Sequence, residues 1–177
     1  HPLLWVAFAW SVLFAGQPGQ LEEKLLCAEA AVPMAPPDAS VADTQGQIAV
    51  LWAWLAVYGN QPDAIYTQAS LALALLDPGN RPARTAAHCA LGVAQMFRGE
   101  RAAASLAFSK VIGAGQSSGN LMFAAVASTA LAGIHATEYK LHLAAATYRK
   151  VVQMIADPGH VLGFEAHLGL GKILYDW

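Results

Sequence analysis

A three-part signature recurs about every 40 residues, a period that belongs to stacked helical repeats. It consists of a large apolar residue, a small residue directly after it, and a turn residue seven further on. The copies are Phe8-Ala9 with Gly16, Leu51-Trp52 with Gly59, Leu91-Gly92 with Gly99, and Leu131-Ala132 with Tyr139. A fifth, Leu170-Gly171, has its turn due one place past the last residue. Each completed turn is followed, five, nine and twelve residues on, by a second apolar series: Leu21, Leu25, Ala28; Ala64, Gln68, Leu71; Ala104, Phe108, Val111; Ala144, Tyr148, Val151. Only Gln68 breaks the series. Offsets of three, four and five trace one face of a helix, so each period reads helix, tight turn, helix. Repeated pairs of this kind stack into a solenoid. The expected fold is therefore an all-α superhelix in a single domain over 1–177, with four helix pairs and one unpaired helix. Its nine helices are placed at about 2–15, 19–31, 43–58, 62–76, 82–98, 101–113, 120–137, 140–156 and 160–177.

The breaks between these segments have identifiable causes. Pro33, Pro36 and Pro37 predict a stiff non-helical linker over 32–42. Asp77-Pro78-Gly79-Asn80 and Asp157-Pro158-Gly159 stop their helices, and Gly113 to Gly119 reads as a loose loop. Alanine on both helices of each pair permits close packing.

Composition narrows the function. Hydrophobic residues make up 56% and charged residues 12% of the 177, about half the usual charged share. So little charge implies that part of the surface is covered by another portion of a longer chain or by a second copy, which makes a homo-oligomer an expected state. The absence of an initiator Met and the final half-repeat also read as a fragment of a longer protein. The net charge is −2 and the ten Lys and Arg are scattered, which argues against direct nucleic-acid binding. Cys27 and Cys89 lack paired spacing and are expected as reduced, buried thiols of a cytoplasmic protein. Stretches 1–21, 44–62 and 111–137 lack Asp, Glu, Lys and Arg, but the first falls on repeat positions and the others are broken by polar residues and glycine. No membrane span is expected.

The segment Leu91-Gly92 with Gly99, Ala104, Phe108 and Val111 resembles the tetratricopeptide (TPR) repeat. Trp5-Val-Ala-Phe-Ala-Trp-Ser-Val-Leu-Phe-Ala-Gly, Ala145-Ala-Thr-Tyr-Arg-Lys-Val-Val and His167-Leu-Gly-Leu-Gly-Lys-Ile-Leu-Tyr-Asp-Trp are similar to the repeat region of MalT-like, LuxR-type bacterial transcription regulators. That resemblance implies a TPR-like superhelix acting as a sensor segment. In such proteins it receives a small-molecule inducer or regulatory protein, between an ATP-binding module and a helix-turn-helix. The alternative is a stand-alone TPR-like scaffold that binds a protein partner.

Chemistry finds no foothold in the sequence, so no catalysis and no cofactor are expected. Ala166-His-Leu-Gly-Leu-Gly-Lys-Ile173 approaches a phosphate loop, but Ile173 replaces the Mg²⁺-binding hydroxyl and no strand precedes it. The six histidines show no His-x3-His spacing, so no metal site is expected. His88 and His167, eleven residues before their turns, are expected half-buried and hydrogen-bonded inside the stack. No Gly-x-Ser-x-Gly elbow occurs, and Asp63 and Glu100 read as charges at helix N-termini.

By analogy with TPR proteins, the first helices line the concave side. The positions ten, six, three and two before each turn then read Val6, Trp10, Leu13, Phe14; Ala49, Ala53, Ala56, Val57; Cys89, Val93, Met96, Phe97; and Thr129, Gly133, Ala136, Thr137. Glu165, Lys172, Tyr175 and Asp176 belong to the last helix. Trp10, Phe14, Cys89, Val93, Met96, Phe97, Thr129 and Tyr175 are the candidate ligand contacts, in a lining too apolar for a peptide-carboxylate clamp.

Overall fold

A computed structural model describes residues 1–34, 39–118, 121–155 and 161–175. Among them the chain is all-α, with no strand. The helices are α1 (Pro2–Phe14), α2 (Pro18–Ala31), α3 (Ala39–Tyr58), α4 (Pro62–Leu75), α5 (Arg81–Phe97), α6 (Arg101–Ser118), α7 (Leu121–Thr137), α8 (Leu141–Met154) and α9 (Val161–Tyr175), with a short 3-10 turn at Val32–Met34. They divide between two compact units, His1–Arg98 and Gly99–Trp177. The helices α5 and α6, expected as one pair, belong to different units.

A left-handed residue two places past the first helix makes each turn: Gly16 at φ 67°, Asn60 at 52°, Gly99 at 79° and Tyr139 at 59°. In three of the turns that residue's amide donates to the carbonyl three back, and the next amide to the carbonyl five back. The bonds are Gly16 to Leu13 (3.1 Å) and Gln17 to Val12 (3.2 Å), Asn60 to Val57 (3.1 Å) and Gln61 to Ala56 (3.1 Å), Tyr139 to Ala136 (3.1 Å) and Lys140 to His135 (2.9 Å). The pair of bonds satisfies carbonyls that would otherwise be orphaned at the helix end. The next helix starts at once. Pro18 and Pro62 occupy its first position, where a missing N–H removes no helical bond.

The second turn corrects the sequence register, because its left-handed residue is Asn60 and not Gly59. Asparagine enters that region more readily than other side chains, so the adjacent glycine is not needed there. Moved by one, the large-small pair becomes Trp52-Ala53 and the second series becomes Ile65, Ala69 and Ala72, all fully buried. The residues expected in those places are less enclosed: Ala64 and Gln68 are half-buried and Leu71 is exposed. Gln68 is thus no exception to the pattern. The other three series are buried where expected, as are the small residues Ala9, Ala53, Gly92 and Ala132.

In the first unit α1 packs on α2 and α3 on α4, and α1, α3 and α5 contact one another in sequence. Two tryptophans tie that row together. The Trp10 Nε1–H donates to Gln47 Oε1 (3.3 Å) and the Trp54 Nε1–H to the Ala86 carbonyl (3.2 Å). Each donor lies six residues before its turn and each acceptor thirteen before the next. The α4–α5 connection is held by Asp43 of α3, whose carboxylate accepts from the Asp77 amide (2.9 Å) and from Asn80 Nδ2 (2.9 Å). Asn80 in turn caps α5 at the Ala83 amide, and Arg84 Nη1 donates to the Leu73 and Leu76 carbonyls at the end of α4.

In the second unit α7 contacts α6, α8 and α9, and α8 also packs on α9. Their core includes Ala132, Ala144, Tyr148, Val151, Ala166 and Ile173. The Tyr148 ring lies against Gly169, where an added Cβ would collide with its ring carbons. Gly169 is therefore a packing residue, whereas Gly171, the small residue of the fifth signature and the glycine before Lys172 in the phosphate-loop lookalike, is exposed with nothing near a Cβ, which corrects its expected place at a helix contact.

Two segment boundaries also differ from expectation. The proposed linker 32–42 holds a 3-10 turn, and α3 is already helical at Ala39. Gly113 to Ser118 continues α6, because isolated glycines cost a helix only about 1 kcal/mol each. Asp157-Pro158-Gly159 and Trp177 lie outside the described residues.

The turn geometry separates two glycines. Nothing crowds a Cβ at Gly16, yet its φ is left-handed, so Gly16→Ala should lose about 1 kcal/mol in urea unfolding. Gly59→Ala, where a Cβ meets only the Gln61 side chain, should stay within about 0.5 kcal/mol of wild type. A larger loss at Gly59 would return the turn to residue 59.

Candidate functional site

The first-helix faces of the first unit close on one another, which decides how much of the expected lining meets solvent. Val6, Val50 and Cys89, ten residues before their turns, are buried, as are Trp54 and Val93 at six before. What remains outside is an aromatic residue two before each turn: Phe14 is 46% exposed, Tyr58 52% and Phe97 40%. Trp10, half-buried, stacks on Phe14 with ring centroids 5.6 Å apart. Met96, half-buried, precedes Phe97.

Of the eight candidate contacts, Trp10, Phe14, Met96 and Phe97 thus present surface in the first unit, whereas Cys89 and Val93 are interior. Thr129 and Tyr175 belong to the second unit. Tyr175 is exposed, and the Thr129 hydroxyl is enclosed with no hydrogen-bond partner among the described residues. Tyr58 went unnamed in the sequence because the register slip at residue 59 put Val57 in its place. His88 and His167 are exposed rather than half-buried, since their positions lie toward solvent on α5 and α9.

A second concave feature lies elsewhere, over α3 between α2 and α4. One cleft of about 430 Å³ is lined by Glu29, Val32, Ile48, Trp52, Gln68 and Leu75, among others. Another of about 550 Å³ is lined by Glu22, Leu55, Tyr58 and Gln61, and again by Trp52 and Gln68. The Trp52 Nε1–H donates to Glu29 Oε1 at 2.7 Å, which fixes the indole between the two. Apart from Trp52 and Gln68, sequence reasoning attached no significance to these residues. The available signal was spacing: 18, 22 and 29 on α2 and 64, 68, 71 and 75 on α4 are each a single helical stripe, continued by 33 in the 3-10 turn and by 61 at the cap of α4.

Titratable groups add little chemistry. Burial pushes the Cys89 thiol far above its ordinary range, which makes it inert. Burial, reinforced by Lys140 and opposed by Glu138, lowers His135 below the usual imidazole value. The Lys140 ammonium, bonded to Glu138 at 2.7 Å, holds that carboxyl below the usual carboxylate range. Among the described residues no three His, Cys, Asp or Glu side chains gather as a metal ion requires. No helix there is long and apolar enough to cross a membrane.

The difference between the two cysteines is measurable. Ellman's reagent should titrate one thiol in native buffer, lost in Cys27→Ser, and two in denaturant, since Cys27 is half-buried and Cys89 fully buried. Fast native reaction of Cys89 would show that its row on α5 is open to solvent.

No curated protein and no solved structure matches the chain. The family profile of the MalT-like TPR region, however, matches residues 46–177, from within α3 onward. The Gly16-Gln17-Pro18 turn of the first pair repeats Asn60-Gln61-Pro62 in backbone and sequence, so the same architecture extends to α1 and α2. With its left-handed turns, buried small residues and paired helices, the chain belongs to the MalT-like TPR region family.

Proposed function

We propose that this chain is the sensor and interaction segment of a MalT-like, LuxR-type transcriptional regulator. It receives a small-molecule inducer or a regulatory protein in the cytoplasm and passes the signal to an ATP-binding module and a helix-turn-helix elsewhere in the parent chain. The observation that supports this reading is the family match over 46–177. The segment acts by binding and not by catalysis. Its proposed contact surface is the exposed row Phe14, Tyr58 and Phe97, with Trp10 and Met96 beside it. Aromatic side chains at matched repeat positions offer large contact area for few rotatable bonds, the usual makeup of a binding hot spot.

Two results test the reading. The parent reading frame should encode a phosphate loop before this segment and a helix-turn-helix after it; a frame with neither supports the stand-alone scaffold instead. A metabolite screen by thermal shift should yield a compound that raises Tm with concentration. Its affinity should fall at least tenfold in Phe97→Ala, about 1.4 kcal/mol. Undiminished binding by that exposed-site variant would place the effector elsewhere.

A further inference from the structure

The groove between α2 and α4 has a charge pattern that its apolar floor does not explain. Glu22 stands in one cleft and Glu29 in the other, seven residues apart on one face of α2 and so about 10 Å apart along its axis. Trp52 lies between them, with the Gln68 amide also bordering both clefts. Neither glutamate is in an ion pair among the described residues. The nearest base in sequence, Lys24, is used on another face: its ammonium sits over the Trp5 and Phe8 rings at 5.9 and 5.3 Å and pairs with Glu23. The first unit holds seven acids, Glu22, Glu23, Glu29, Asp38, Asp43, Asp63 and Asp77, against Lys24, Arg81, Arg84 and Arg98, and Lys24 pairs with Glu23 and Arg98 with Asp63. With no base paired to Glu22 or Glu29 among the described residues, the field at those two carboxylates is negative, and it attracts cations.

We propose that the groove binds a linear aliphatic dication, with one ammonium at Glu22, the other at Glu29, and the methylene chain lying across Trp52. Both clefts fall in the size range of small-molecule sites. The indole face adds cation–π attraction at either end of the chain and apolar contact at its middle. Glu29 keeps lone pairs for the ligand while it accepts from Trp52, and that bond orients it toward the groove. An ammonium at each carboxylate supplies the counter-charge that the chain itself does not. The groove shares Tyr58 with the aromatic row proposed above but neither Phe14 nor Phe97, so Phe97→Ala and the groove substitutions read the two sites separately and failure at either leaves the other standing.

Calorimetric titration of the whole chain at low salt with α,ω-diaminoalkanes of four to twelve carbons tests the assignment. Affinity should peak near eight carbons, octylamine should bind at least tenfold more weakly than diaminooctane, and added salt should weaken both. Glu22→Gln and Glu29→Gln are exposed, conservative changes that retain the helical circular dichroism. Each should cost about tenfold in affinity, the worth of one charge-assisted bond. Glu23→Gln, whose carboxylate pairs with Lys24, and Phe97→Ala should leave affinity unchanged. A chain-length profile that is flat, binding indifferent to both groove substitutions, or no binding by any diamine would overturn the proposal. So would capture of a basic amphipathic peptide by the same groove with no diamine binding.

Discussion

The approach of two helices at a small residue is the contact on which the rest of this architecture rests. Ala9, Ala53 and Ala132, each seven residues before a left-handed turn, are buried without remainder in the pairs α1–α2, α3–α4 and α7–α8. Side chains this short let helix axes close to the lower end of the usual spacing of about 8–10 Å. The turn then has little freedom. It must reverse the chain within three residues while satisfying the last carbonyls of the first helix, and a left-handed residue with its two back-bonds does both. Gly16 and Gly99 adopt that conformation without strain, Asn60 readily, and the exposed Tyr139 at a steric cost.

Once the pairs are fixed, their stacking determines which residues remain for function. In the first unit the tryptophans at Trp10 and Trp54 each reach the next first helix, and the apolar residues near them are withdrawn from solvent. An analogy with open TPR grooves overstates what is left. The surface that survives consists of aromatic residues at the helix ends and the Trp52 groove between α2 and α4, which meet at Tyr58. Both arise from the same cause: second helices spaced by a stacked row of first helices leave gaps that the row floors.

Most of this was legible in the chain because the signature depends on steric facts with fixed spacing. The pairs α1–α2, α3–α4 and α7–α8 and the buried series after three of the turns follow from size and period alone, whereas the period named Gly171, which is exposed, and passed over Gly169, which packs on Tyr148. The error at Gly59 shows the limit. Glycine is the commonest left-handed residue, so the pattern settled on it, although the neighbouring asparagine adopts the conformation and the next two residues, Gln61-Pro62, copy Gln17-Pro18. That slip alone produced the apparent break at Gln68 and hid Tyr58. Cys89 was expected both as a buried thiol and as a ligand contact, and the choice between the two, like the burial of Val93, was illegible for a different reason: it depends on how closely consecutive pairs stack, and no single period encodes that distance. The Trp52 groove was missed because it draws on three helices whose relevant residues are ordinary taken one helix at a time.

The central claim is that a left-handed residue at 60 sets the register of α4 against α3, and burial on α4 measures it directly. Urea unfolding of Ile65→Ala and Leu71→Ala reads that register. Ile65 is fully buried and Leu71 is 46% exposed. The account predicts a loss of about 2–5 kcal/mol for Ile65→Ala, the range for truncating a buried aliphatic side chain, and well under half of that for Leu71→Ala. A greater loss at Leu71 than at Ile65 would contradict it.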